Sequence, residues 1–161
     1  MLPQKKDDAP AWLARAISAF DKDARKDGDL LTHEWIKWAI DIPAPVNMEQ
    51  ATEQQWLLLT RLDAFRDYLL VERKIALQNV RGEGYRIVPP SEQAQVAAEQ
   101  AMKLVKKGLD HGDKLMTHTR TNELSADEQK RHTDAHLRLC GIKDMVRRQK
   151  KDVFRLFSPQ Q

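Results

Sequence analysis

The stretch that most limits what this chain can become is Val80-Arg81-Gly82-Glu83-Gly84-Tyr85-Arg86-Ile87-Val88-Pro89-Pro90. It holds two of the six glycines, one residue apart and flanked by arginines, and closes on a double proline. Glycine supplies the positive φ that a tight hairpin demands. Tyr85, Ile87 and Val88 are strand formers on one side, and Ile75, Leu77 and Asn79 alternate with Lys74, Ala76 and Gln78 on the other. The pattern predicts a two-stranded hairpin with Arg81-Gly82-Glu83-Gly84 at its turn.

Everything else reads as helix. Few residues favour strands, whereas Ala, Leu, Gln, Lys, Arg, Glu and Asp dominate. Pro10 opens a first helix whose apolar face is Trp12, Leu13, Ala16, Ile17 and Phe20, with Gly28 as its stop. A second helix, capped by Asp29 or Thr32, carries Leu31, Trp35, Trp38 and Ala39 and stops at Pro43-Ala44-Pro45. Asn47 and Gln50 form a capping-box pattern ahead of a Pro- and Gly-free run to Arg73. In that run Leu58, Leu62, Phe65 and Leu69 make one stripe. Thr60-Arg61-Leu62-Asp63 predicts a break there, with Arg61 at the tip of a third helix. The four tryptophans, Trp12, Trp35, Trp38 and Trp56, are expected in the core.

After Pro90 the sequence predicts a helical hairpin. Ser91 opens its first helix, with Val96, Ala97, Ala101, Leu104, Val105 and Leu109 apolar and a kink near Gly112. Thr117 to Asn122 makes the loop. Ser125-Ala126-Asp127-Glu128 is a capping box. The helix behind it carries Leu137, Ile142, Met145, Val153 and Phe154. The fold class is therefore mainly α: a helical unit with one β-hairpin, followed by a long αα-hairpin. The expected organisation is a flexible tail over 1–9, a helical domain with the β-hairpin over 10–90, and a helical hairpin for oligomerisation or partner binding over 91–161.

The order of helices followed by Asn79-Val80-Arg81-Gly82-Glu83-Gly84-Tyr85-Arg86-Ile87 resembles the winged helix-turn-helix superfamily. The hairpin is similar to the wing of OmpR-type effector domains and of small phage-borne DNA-binding proteins. The resemblance covers about residues 28–90 and implies duplex DNA as partner. Gly82 and Gly84 would let the wing approach the backbone, where Arg81 and Arg86 neutralise phosphates. Arg61, Arg66, Arg73 and Lys74 are candidates on the recognition helix, with Arg61 at a base edge. The expected role is a sequence-specific, homodimeric transcriptional regulator of phage or mobile-element type. Alternatives are an inhibitor or adaptor binding a host protein, and a DNA packaging or replication accessory protein.

Charge keeps the alternatives open. Residues 1–90 hold 13 cationic and 14 anionic side chains, and residues 91–161 hold 14 and 10, for a net +3. The basic cluster Arg147, Arg148, Lys150 and Lys151 could meet nucleic acid or an acidic protein. His132, His136 and Cys140 stand at i, i+4 and i+8, a ladder of about 12 Å at 1.5 Å per residue. One ion cannot touch both ends, so a His pair plus one partner is the most this face could offer, and no metal or cofactor is expected. No paired carboxylates, phosphate loop or activated nucleophile stands out, so no enzyme is expected. One cysteine, no signal-peptide core and no membrane-length apolar run suit a cytoplasmic protein without a membrane partner.

Overall fold

The computed structural model describes residues 9–158. The chain divides into two compact units, 1–93 and 94–161. The expected tail lies outside the described residues except for Ala9, which packs against the core.

The first unit contains α1 (Ala11–Lys22), β1 (Leu30–Thr32), α2 (His33–Ala39), α3 (Met48–Arg73), β2 (Ala76–Val80) and β3 (Gly84–Val88). The sheet is antiparallel in the order β1-β3-β2. Leu31 pairs with Tyr85, and Leu77 with Ile87. One face of these strands meets the helices. Phe20, Leu31, Ile36, Ile40, Leu62, Phe65, Leu69, Leu77, Tyr85 and Ile87 form a single buried cluster. Phe65 is central: it is wholly buried and packs edge-on to Phe20 at 6.3 Å between ring centres.

Several local expectations are corrected. β1 completes a three-stranded sheet where only a hairpin was read. Its last residue, Thr32, also caps α2, accepting a bond from the Trp35 N–H at 3.2 Å. α1 ends at Lys22, before Gly28: Asp23 caps it in the right-handed conformation, its side chain accepting the Trp35 indole N–H at 2.8 Å, and Ala24 at φ +47° turns the chain out of the helix. Gly28 instead donates its N–H to the Ile87 carbonyl. α2 ends at Ala39, ahead of the prolines, with Asp41 at positive φ. There is no break at Thr60. Its hydroxyl returns to the Trp56 carbonyl one turn back, so the hydroxyl is satisfied inside a continuous α3.

The second unit is a helical hairpin made by most of α4 (Pro90–Thr117) and by α5 (Ala126–Arg155), joined through a 3-10 turn at Thr121–Glu123. The Ser125–Glu128 capping box is realised in full. α4 runs straight through Gly112; the missing side chain there lets the Leu139 methyl come close. No helix among the described residues is long and apolar enough to cross a membrane.

Candidate functional site

α3 decides what the first unit can touch. Leu58, Leu62, Phe65 and Leu69 recur at three- and four-residue spacing and turn one side inward. The opposite ridge follows from the same period: Glu49, Glu53, Trp56, Thr60, Asp63 and Asp67, all exposed. It carries four carboxylates and no Lys or Arg. Trp56 is 69% exposed with exposed Leu59 beside it, and Leu70 and Val71 are exposed near the far end of the helix. The expectation that all four tryptophans lie in the core therefore fails for Trp56 and for Trp38, which is 55% exposed.

The cationic candidates are held elsewhere. Arg61 lies in the middle of α3, well away from a helix tip. Its guanidinium donates to the carbonyls of Ile40 and Asp41 at 2.8 and 2.6 Å and stacks over Trp12. It satisfies the end of α2, where a cation is favoured. Arg66 lies over the Tyr85 ring and pairs with Asp63 at 3.6 Å. Arg73 pairs with Asp21 at 2.8 Å. Lys74, in the left-handed conformation, closes α3 and donates to the Val71 carbonyl at 2.6 Å. Arg86 donates to Gln78 at 3.0 Å and to Glu92 at 2.6 Å.

The turn itself is open. Arg81, Gly82 and Glu83 are exposed, and the N–H of Glu83 bonds the Val80 carbonyl at 3.1 Å. Gly82 has φ +82° and free space where a side chain would be. Gly84 is buried at φ +148°, and a β-carbon there would collide with the Leu31 carbonyl. Gly82 is thus suited to close approach by a ligand, whereas Gly84 serves the sheet.

In the hairpin unit, His132 meets the Met116 carbonyl at 3.1 Å, His136 meets Asp113 at 2.9 Å, and Lys143 meets Asp113 at 2.7 Å and Asp110 at 3.3 Å. The pairing descends α4 as it ascends α5, so the helices are antiparallel. The α5 stripe turned to α4 is thus His132, His136, Leu139, Lys143 and Val146. This corrects the expected stripe: Leu137, Ile142 and Met145 are exposed, as are Leu104 and Leu115 on α4. At roughly 100° per residue, Ile142 lies about a quarter turn from the seam, and Leu104, Leu115, Met145 and Leu156 lie about a third of a turn or slightly more. In an antiparallel pair these offsets fall on the same side. On α4 that side also presents Ala97, Ala101 and Gly108, and no formal charge. The sequence held the signal for this face as a second apolar stripe on each helix.

The other side of the hairpin is charged. The basic cluster splits around α5. Arg147 and Lys150 border a cavity of about 190 Å³ with Lys106 and Lys143 over a floor of Met102, Leu109 and Val146. Arg148 and Lys151 take other directions and are exposed. Asp113 is held below the usual carboxylate range chiefly by its hydrogen bond from Lys143, then by that from His136, and Lys143 is raised in turn. Cys140 is exposed one turn beyond His136.

Comparison with known proteins finds no family model, curated protein or solved structure that matches the chain.

Proposed function

We propose that the protein is a dimeric, non-enzymatic binding protein whose first unit docks a protein partner through the outward ridge of α3. The observation that carries this reading is that ridge: Glu49, Glu53, Asp63 and Asp67 run along it with exposed Trp56, no Lys or Arg belongs to it, and among the described residues only Asp63 is paired, to Arg66 from the flank. A duplex phosphate backbone repels such a face. A protein surface with lysines or arginines around an apolar pocket complements it, and an exposed aromatic flanked by charge is the composition of an interface anchor. The adaptor or inhibitor role fits this chemistry. The test is capture from a nuclease-treated host lysate with three proteins. A stoichiometric partner should be held by wild type and by Arg81→Ala, and lost with Trp56→Ala. A partner indifferent to Trp56 removes the reading.

Duplex DNA is the second reading. It is supported by the three helices, by the sheet with its wing, and by the open turn at exposed Arg81 and Gly82. In this reading the protein is a regulator that touches DNA through its wing. A salt titration of duplex binding decides it, because the slope counts the phosphates contacted.

Dimerisation rests on one side of the hairpin, apolar along α4 and carrying Arg131 and Arg138 beside the apolar residues of α5. Helices of 28 and 30 residues are roughly 42 and 45 Å long, and side by side roughly 20 Å wide. One side therefore offers roughly 800 Å², the share of each partner in a standard interface. The α4 part bears no charge needing an opposite sign, and Ala97, Ala101 and Gly108 allow close helix approach. A second copy related by a twofold axis matches both properties and makes a four-helix bundle.

A further inference from the structure

We propose that Asp113, His136 and Cys140 form a zinc-type metal site that clips α4 to α5. Each offers one ligand atom, and the three atoms lie within 4.8 Å of one another. His136 and Cys140 stand one turn apart on α5, and Asp113 reaches them from α4. The ladder of His132, His136 and Cys140 could not close on one ion; replacing its far end by a carboxylate across the hairpin does.

The donor set names the metal class. A carboxylate oxygen, an imidazole nitrogen and a thiolate suit a borderline cation such as Zn²⁺, and are a poor set for Mg²⁺ or Ca²⁺. With Zn–N and Zn–O near 2.0–2.2 Å and Zn–S near 2.3 Å, tetrahedral ligands stand about 3.5 Å apart. The Asp113 Oδ1–His136 Nε2 pair, at 2.9 Å, therefore opens by about 0.5 Å, and the wider separations, up to 4.8 Å, close by about 1 Å, both within side-chain reach. Three protein ligands leave a fourth position for water.

The surroundings match what a metal-bound carboxylate and imidazole require. Asp113 uses Oδ1 towards His136, while Oδ2 accepts from Lys143 at 2.7 Å. A ligating carboxylate held at its other oxygen is the usual outer arrangement. Asp110, 3.3 Å from the same ammonium, holds Lys143 in place and balances its charge. The dication is then offset by the Asp113 carboxylate and the Cys140 thiolate. Binding displaces the thiol proton to solvent, and Nε2 of His136 binds in its neutral, unprotonated form with the ring proton on Nδ1.

Cobalt(II) is the probe, because a thiolate ligand gives an intense near-ultraviolet charge-transfer band and tetrahedral geometry gives strong visible bands. The full-length reduced protein should bind one cobalt with both signatures, and added zinc should erase them. Cys140→Ser should lose the charge-transfer band. Asp113→Asn and His136→Ala should each weaken cobalt binding by roughly tenfold or more. His111→Ala, on another side of α4, should leave it unchanged. Zinc should also raise the melting temperature of wild type but not of Cys140→Ser. Circular dichroism of each variant without metal checks that the helices persist. Absence of the charge-transfer band in the wild type, or a band that survives Cys140→Ser, overturns the proposal. So does affinity unchanged in both Asp113→Asn and His136→Ala.

Discussion

Gly84 sits so close beneath the Leu31 carbonyl that the β1–β3 pairing has no room for a β-carbon there. Its φ of +148° would also strain any other residue. Gly84→Ala should therefore cost about 3 kcal/mol, combining backbone strain with overpacking. Gly82→Ala, at positive φ but in open space, should cost about 1 kcal/mol. Urea unfolding of the two variants measures both, and equal losses would contradict this division of roles.

Arg61 is expected to matter for folding before it matters for any ligand. Its guanidinium satisfies two carbonyls at the end of α2 while lying on Trp12. Arg61→Ala should lower stability by about 2 kcal/mol, the scale of a hydrogen bond to a charged group. Arg61→Lys should recover only part, because an ammonium cannot reproduce the planar fork. An Arg61→Ala protein of wild-type stability would show that these bonds are not formed in solution.

The start of α5 should weaken in acid. The Ser125 backbone N–H and then its hydroxyl hold Glu128 below its ordinary 4.5. A carboxyl depressed in the folded state stabilises it above the unfolded value, and that contribution is lost as pH falls through the folded one. Helicity followed by circular dichroism should decline below about pH 4.5. Glu128→Gln, which keeps an acceptor but has no charge, should remove this component of the pH dependence. An unchanged profile in that variant would assign the decline to other carboxylates.

The four-helix reading makes a mass prediction. Light scattering of the wild type should give twice the 18.6 kDa of one chain. Leu104→Glu or Met145→Glu, each at an exposed position, should give single chains without loss of helix. A single-chain mass for the wild type removes the dimer.

Duplex binding, if the wing makes it, should weaken on Arg81→Ala without loss of stability, since that side chain is exposed and enters no ion pair among the described residues. The salt slope should fall by about one for the phosphate lost. A slope that does not move places any DNA contact elsewhere.

The hairpin around Gly82 and Gly84, the mainly helical class and the α5 capping box were legible because glycine, proline and capping residues act locally. β1 was not, since three residues are too few to display alternation. The false break at Thr60 arose because Ser and Thr signal a cap only when their hydroxyl leaves the helix, and here it bonds one turn back. In the hairpin each helix carries two apolar stripes, and only the pairing of Asp113 with His136 and Lys143 reveals which one faces inward. That pairing also makes the metal cluster invisible along the chain: two ligands are neighbours on α5, while the third stands 23 residues earlier than His136.

The open turn at Arg81–Glu83 has a practical use. With nothing around Gly82 and the adjoining strands fixed by their own pairing, a fluorophore or short epitope can be carried there with little demand on the core. Such a label would report whether a ligand approaches the hairpin turn or leaves it in water, turning a glycine kept for backbone shape into a vantage point on the protein's partners.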